Sequence, residues 1–141
     1  MSKQILLVAF FIFLSGCATQ HDERLLGSWR SDKEGTVAEY DRRFPKRFEG
    51  KPEIKIKFSR IFGNMTHTFS LKNLTVLYED NAFTVGYKVL KIDTDSVLIK
   101  TFGEDGEEIK IRFVDNLNSY WVNEDSDFPE KFTKIETEPR H

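Results

Sequence analysis

The chain is poor in the features that staple or charge a small protein. It holds one cysteine and three histidines in 141 residues, so no internal disulfide can close and no Cys/His cluster exists to hold structural zinc. Neither charge is in surplus: 21 Lys+Arg stand against 23 Asp+Glu, a net of −2. A domain built to neutralise phosphates carries a basic excess, so a nucleic-acid partner is not expected. The apolar run from Ile5 to Leu14 makes ~15 Å of helix, about half of a ~30 Å hydrocarbon core, and is too short to span a membrane. There is no Gly-x-Ser-x-Gly elbow, no Gly-rich phosphate loop and no His-Glu-x-x-His. At about 100–200 residues per domain, the length fits a single domain.

Lys3, the apolar run and the small residues Ser15-Gly16 before Cys17 are the three parts of a secretory signal. Leu14-Ser15-Gly16-Cys17 resembles the lipobox of bacterial lipoproteins at all four positions. That resemblance implies a diacylglycerol on the Cys17 thiol, cleavage between Gly16 and Cys17, and usually acylation of the new amino group. One acyl chain binds a membrane only marginally, whereas two or three hold firmly, so Cys17 is expected to be an anchor and not a nucleophile. Residues 1–16 are then the signal peptide, and residues 17–24 a polar lipidated tether without periodicity. Residues 25–141 form the folded domain. In Gram-negative lipoproteins an Asp after the modified Cys retains the protein in the inner membrane. Ala18 stands there, so the resemblance implies an outer-membrane lipoprotein facing the periplasm, given a Gram-negative source.

From Leu25 onward the pattern is mostly period two. Leu26 to Ser31 reads as a first strand, and Met65, His67, Phe69 and Leu71 alternate with polar neighbours as a half-buried one. Leu74 to Tyr78 follows, then Phe83 to Ile92, whose apolar face switches at Leu90 and so predicts a bulge near Lys88–Leu90. Val97 to Phe102 comes next, then Ile109 to Phe113 after the hairpin signal Asp105-Gly106, and finally Ser119 to Val122 and Phe132 to Ile135. About eight strands with short turns predict a mainly β fold: an antiparallel up-and-down barrel, preferred over a sandwich because closure removes sheet edges.

One segment breaks the pattern. Val37, Tyr40 and Phe44 sit at helical spacing between the caps Ser31 or Asp32 and the stop Pro45. Ile54, Phe58, Ile61 and Phe62 repeat that spacing between Pro52 and Gly63. Ile54, Ile56 and Phe58 also alternate with lysines, so residues 53–62 read as helix or strand. One or two short helices after the first strand would form a lid or flank.

Gly27-Ser28-Trp29, at the start of the first strand, resembles the Gly-x-Trp signature of lipocalins and lipocalin-like (calycin) proteins. In that family the Trp closes one end of an eight-stranded barrel and a cation from near the C-terminus packs across it. Lys131, Lys134 or Arg140 would supply it here. The Thr-Asp-Tyr motif of classical lipocalins is absent, and the helical segment follows the first strand directly.

No catalytic residue, metal site or cofactor is expected. His67 has Ser59 and Ser70 as nominal partners, but no spacing supports a triad, and a packed strand residue accounts for it. Asn123 to Asp127 alternates oxygen ligands like a calcium loop, but the Gly position is Phe128 and the bidentate carboxylate position is Lys134. A solvated acidic turn is the better reading, as it is for Glu104-Asp105 and Glu107-Glu108. Arg42, Arg43, Lys46, Arg47 and Lys51 form a basic cluster, either facing anionic headgroups or making a charged helix face balanced by Asp41 and Glu49.

Two functions remain. The first is a non-enzymatic, lipid-anchored barrel that binds a small apolar ligand, with Trp29, Phe69, Tyr78, Phe83, Tyr87, Phe113 and Tyr120 as candidate cavity lining. The second is a periplasmic protein-interaction lipoprotein: an inhibitor or immunity protein against a secreted effector, or an envelope-assembly factor. Its structural sign would be an exposed apolar patch.

Overall fold

A computed structural model describes residues 20–136. The expected signal segment, Cys17, Arg140 and the terminal His141 lie outside the described residues. A short 3-10 turn, Glu23–Leu25, leads into β1 (Gly27–Ser31). Seven further strands follow the helical segment: β2 (Met65–Phe69), β3 (Asn73–Tyr78), β4 (Asn81–Ile92), β5 (Ser96–Thr101), β6 (Glu108–Val114), β7 (Ser119–Val122) and β8 (Glu130–Lys134). Each strand pairs antiparallel with the next, and β8 returns to β1 through Trp29–Lys134, Arg30–Thr133 and Ser31–Phe132. The result is the closed eight-stranded up-and-down barrel, lipocalin-like in architecture, that the strand spacing predicts. Closure satisfies the backbone groups that an open sheet would leave at its edges.

Local chemistry sets the bends. The pairing of β4 with β5 shifts register between Val89 and Lys91, which extrudes Leu90 to solvent as the predicted bulge. Gly27 sits at φ +116°, opposite Phe69. A side chain is strained there, which is a physical reason for glycine two residues before Trp29. β2 stops at Phe69, earlier than the alternation suggests, because Ser70 turns back to bond Asn73 and leaves Leu71 exposed.

Two helices occupy the β1–β2 connection. α1 (Lys33–Arg43) starts at Asp32, whose carboxylate accepts from the Gly35 N–H at 2.9 Å. α2 (Pro52–Ser59) has proline in its first turn, and this resolves the helix-or-strand ambiguity in favour of helix. Phe58 and Phe62 pack with Tyr40, Phe48, Val37 and Phe44 in a small aromatic cluster. Ile54 and Ile61 share that spacing yet stay exposed, because the cluster is filled by four phenylalanines and a tyrosine and leaves the other α2 positions uncovered.

The main core fills the barrel from one end. Gly27 pairs with Phe69, while Arg30 pairs with Thr66 and Met65 with Tyr78, so the start of β1 and the start of β2 lie at opposite ends. Toward the end where β1 begins, Leu25, Trp29, Phe113 and Tyr120 are all buried, and Phe132 is buried next to Tyr120. Trp29 and Tyr120 lie 4.7 Å apart and Tyr120 and Phe132 5.3 Å apart, centroid to centroid. The Trp29 indole Nε1 donates to the Leu25 carbonyl at 2.8 Å. The Lys134 Nζ sits 5.5 Å from the Trp29 ring centroid. Of the two described cations that the Gly-x-Trp resemblance offers, Lys134 is the one over the ring, while Lys131 pairs with Asp115 at 2.9 Å.

Candidate functional site

The opposite end of the barrel is not filled. Between the β3–β4 hairpin and the β5–β6 turn lies a cavity of about 700 Å³, within the roughly 300–1,000 Å³ range of small-molecule sites. Its apolar wall comes from Met65 on β2, Leu74 and Val76 on β3, Phe83 and Val85 on β4, and Ile109 on β6, with Tyr78 at the hairpin. Period-two alternation puts these residues on the inner face, since residues i, i+2 and i+4 of a strand share a side. Thr84, Thr101, Gly103 and the carboxylates Glu104, Asp105 and Glu107 complete the lining. Phe83 is 61% exposed and Tyr78 38%, so apolar rings stand open to solvent at the mouth.

His67 lines the same cavity. Its ring stacks on Phe132 at 4.1 Å, and its Nδ1 lies 2.8 Å from the Tyr120 hydroxyl. Burial holds the imidazole down at about 4, below its usual 6.5. Burial likewise pushes the Tyr120 phenol well above its ordinary value, with the Glu130 charge adding to the rise. Both side chains are therefore uncharged near neutrality. Ser59 and Ser70, the nominal nucleophiles, bond the carbonyls of Ile56 and Asn73. His67 is held by Tyr120, as a packed strand residue.

The candidate lining divides in two. Tyr78 and Phe83 line the cavity. Trp29, Phe69, Tyr87, Phe113 and Tyr120 do not, because they belong to the buried core. Phe69 and Tyr87 form an edge-to-face pair at 5.5 Å, and the Tyr87 hydroxyl donates to the Ser70 carbonyl at 2.6 Å. These five large inward rings lie in the half of the barrel they fill with their own bulk. The residues missed are smaller: Met65, Leu74, Val76, Val85 and Ile109, together with His67. They carry the same alternation, and only the register shows that they sit toward the open end.

Part of the basic cluster and part of the acidic β7–β8 turn are tied up in protein-internal pairs. Arg42 and Arg43 both bond Glu39. The Arg42 bond, opposed by partial burial and reinforced by Arg43, draws that carboxyl down to about 2. Arg47 lies over the Phe44 ring at 4.7 Å. Glu39 supplies the balance, and Asp41 pairs with Lys55 instead. In the acidic β7–β8 turn, Glu124 chelates the Arg112 guanidinium, and its backbone carbonyl accepts from Arg43 at 2.7 Å. Among the described residues no group of three or more His, Cys, Asp or Glu is placed to hold a metal ion, and no helix is long and apolar enough to cross a membrane.

The class defined by this architecture is a closed eight-stranded antiparallel barrel, sealed at the Gly-x-Trp end and hollow at the other. No family model matches the chain, and no curated protein or solved structure matches it either.

Proposed function

We propose that the protein is a lipid-anchored, non-enzymatic binding module. Cys17 carries the anchor, and a small apolar ligand sits in the open end of the barrel. The observation that carries this reading is the cavity of about 700 Å³ walled by Met65, Leu74, Val76, Phe83, Val85 and Ile109. Apolar walls with a few polar groups are the usual composition of a ligand pocket, and transfer of an apolar ligand from water gains roughly 25 cal/mol for each Å² buried. The lipobox residues and Ala18 support an outer-membrane location facing the periplasm. Mass analysis of the protein from its native envelope tests both halves. A diacylated or triacylated N-terminus at Cys17 and a copurified small molecule under non-denaturing conditions are expected. An uncut N-terminus would refute the anchor, and a ligand-free protein that also ignores added apolar probes would refute the carrier.

A second reading is favoured by one observation. Ile54 and Ile61, seven residues apart on and just after α2, are 51% and 58% exposed, an apolar pair that no described residue covers. Under this reading the protein binds another periplasmic protein through that apolar pair. Affinity capture from envelope extracts would then give one stoichiometric partner that is lost with Ile54→Glu and Ile61→Glu.

A further inference from the structure

His67 contributes an imidazole to an otherwise apolar stretch of cavity wall. It faces Trp29 on β1 and Val76 on β3 across the sheet register, and its ring is clamped between Phe132 and the Tyr120 hydroxyl. A phenol O–H is the stronger donor of the pair and an imidazole nitrogen the stronger acceptor, so Tyr120 donates to Nδ1. That bond fixes the tautomer, with the ring proton on Nε2. No group among the described residues bonds Nε2, and the residue lines the cavity. No buried side-chain nitrogen lacks a partner among the described residues, so the unbonded Nε2–H is an open donor on a wall shared with Met65, Leu74, Val76 and Ile109.

The mouth carries the opposite constraint. Glu104, Asp105 and Glu107 line it, and among the described residues no lysine or arginine lines the cavity. A carboxylate ligand would enter past three like charges and find no counter-charge inside, where a low dielectric magnifies the repulsion. His67 offers none, because burial keeps it neutral.

We infer that the cavity selects an uncharged amphiphile, an ester, amide or alcohol of a medium-length alkyl chain, whose oxygen accepts from His67 Nε2–H, and that the carboxylates at the mouth reject the corresponding acid. This deepens the ligand-binding reading above and rests on it. A site built around one buried donor penalises ligands that leave it unpaired.

The test uses residues 17–141 with Cys17→Ser, which hold the complete barrel, and displacement of a fluorescent apolar probe by monolauroylglycerol, lauric acid and dodecylamine. The neutral ester is expected to bind at least ten-fold tighter than the acid. His67→Phe should weaken the ester about three- to ten-fold and leave the acid unchanged, in keeping with the net worth of one hydrogen bond. His67→Gln, which keeps an N–H donor, should recover part of that loss and guards against a folding artefact. The triple change Glu104→Gln, Asp105→Asn, Glu107→Gln should narrow the gap between ester and acid. Equal binding of ester and acid overturns the inference while the ligand-binding reading stands. So does dodecylamine binding tightest with no effect of His67→Phe, since the rim alone would then select. A bound probe that none of the three displaces also overturns the inference, and if the probe itself does not bind, the ligand-binding reading falls and takes the inference with it.

Discussion

The two ends of this barrel are built on the same alternation and do opposite things. At the Gly-x-Trp end, Leu25, Trp29 and Tyr120 are wholly buried, and the 3-10 turn is strapped down by Arg24. That guanidinium bonds the Asp22 carboxylate and the carbonyls of Asp93, Thr94 and Ser96, and it lies 4.7 Å over the Phe113 ring. At the other end the inward residues are valine, leucine, isoleucine and methionine, and the aromatic rings there stand open at the rim. An inward-facing strand position is thus a neutral instruction. Side-chain volume and what covers the end decide whether the position supplies stability or leaves room for a guest.

Substitutions can break that contrast or sharpen it. The largest effect is expected from Trp29→Ala, which opens a hole in the sealed end and strands the Leu25 carbonyl. Burial of this kind costs about 3–5 kcal/mol on truncation, read as a drop in the urea midpoint with the slope unchanged.

His67 comes next, at the boundary between the two regions. Its folded pKa of about 4 lies below the usual 6.5. The unfolded chain therefore binds the extra proton between those values, and stability present above pH 6.5 is lost as pH falls toward 4. The full shift corresponds to about 3 kcal/mol. His67→Gln should lack this component. The urea midpoints of the two proteins should converge on acidification from pH 7 to 4.5, or cross. Glu130, whose carboxyl is raised by burial against the Ser31 bond, slopes the opposite way, but it is common to both proteins and drops out of the difference.

The smallest effect on stability belongs to Phe83→Ala at the mouth. A ring this exposed should cost under about 1 kcal/mol, while probe affinity falls several-fold. A stability loss there as large as that of Trp29→Ala would erase the distinction between the two ends.

Much of the fold was legible in the residues because its determinants are local. Alternation, turn dipeptides such as Asp105-Gly106, the Asp32 cap, Pro52 and the face switch at Leu90 each act within a few positions. The site was half legible, for a physical reason. Period two reports which face of the sheet a residue occupies and says nothing about its depth along the barrel axis. Phe69 and Met65 have identical credentials in sequence, yet one is core and the other cavity wall. The His67–Tyr120 bond spans 53 positions, and no local signal announces it. The pairing of Arg42 and Arg43 with Glu39 follows from helical spacing, which outweighs the nearness in sequence of Asp41 and Glu49.

Methyl-resolved NMR of residues 17–141 with Cys17→Ser, titrated with monolauroylglycerol, tests the difference between the ends in one experiment. The signals of Met65, Leu74, Val76 and Val85 should shift saturably, while those of Leu25, Val97 and Ile111 in the packed core hold still. Shifts spread evenly over both sets, or absent from both, would contradict a barrel that is solid at one end and ready for a ligand at the other.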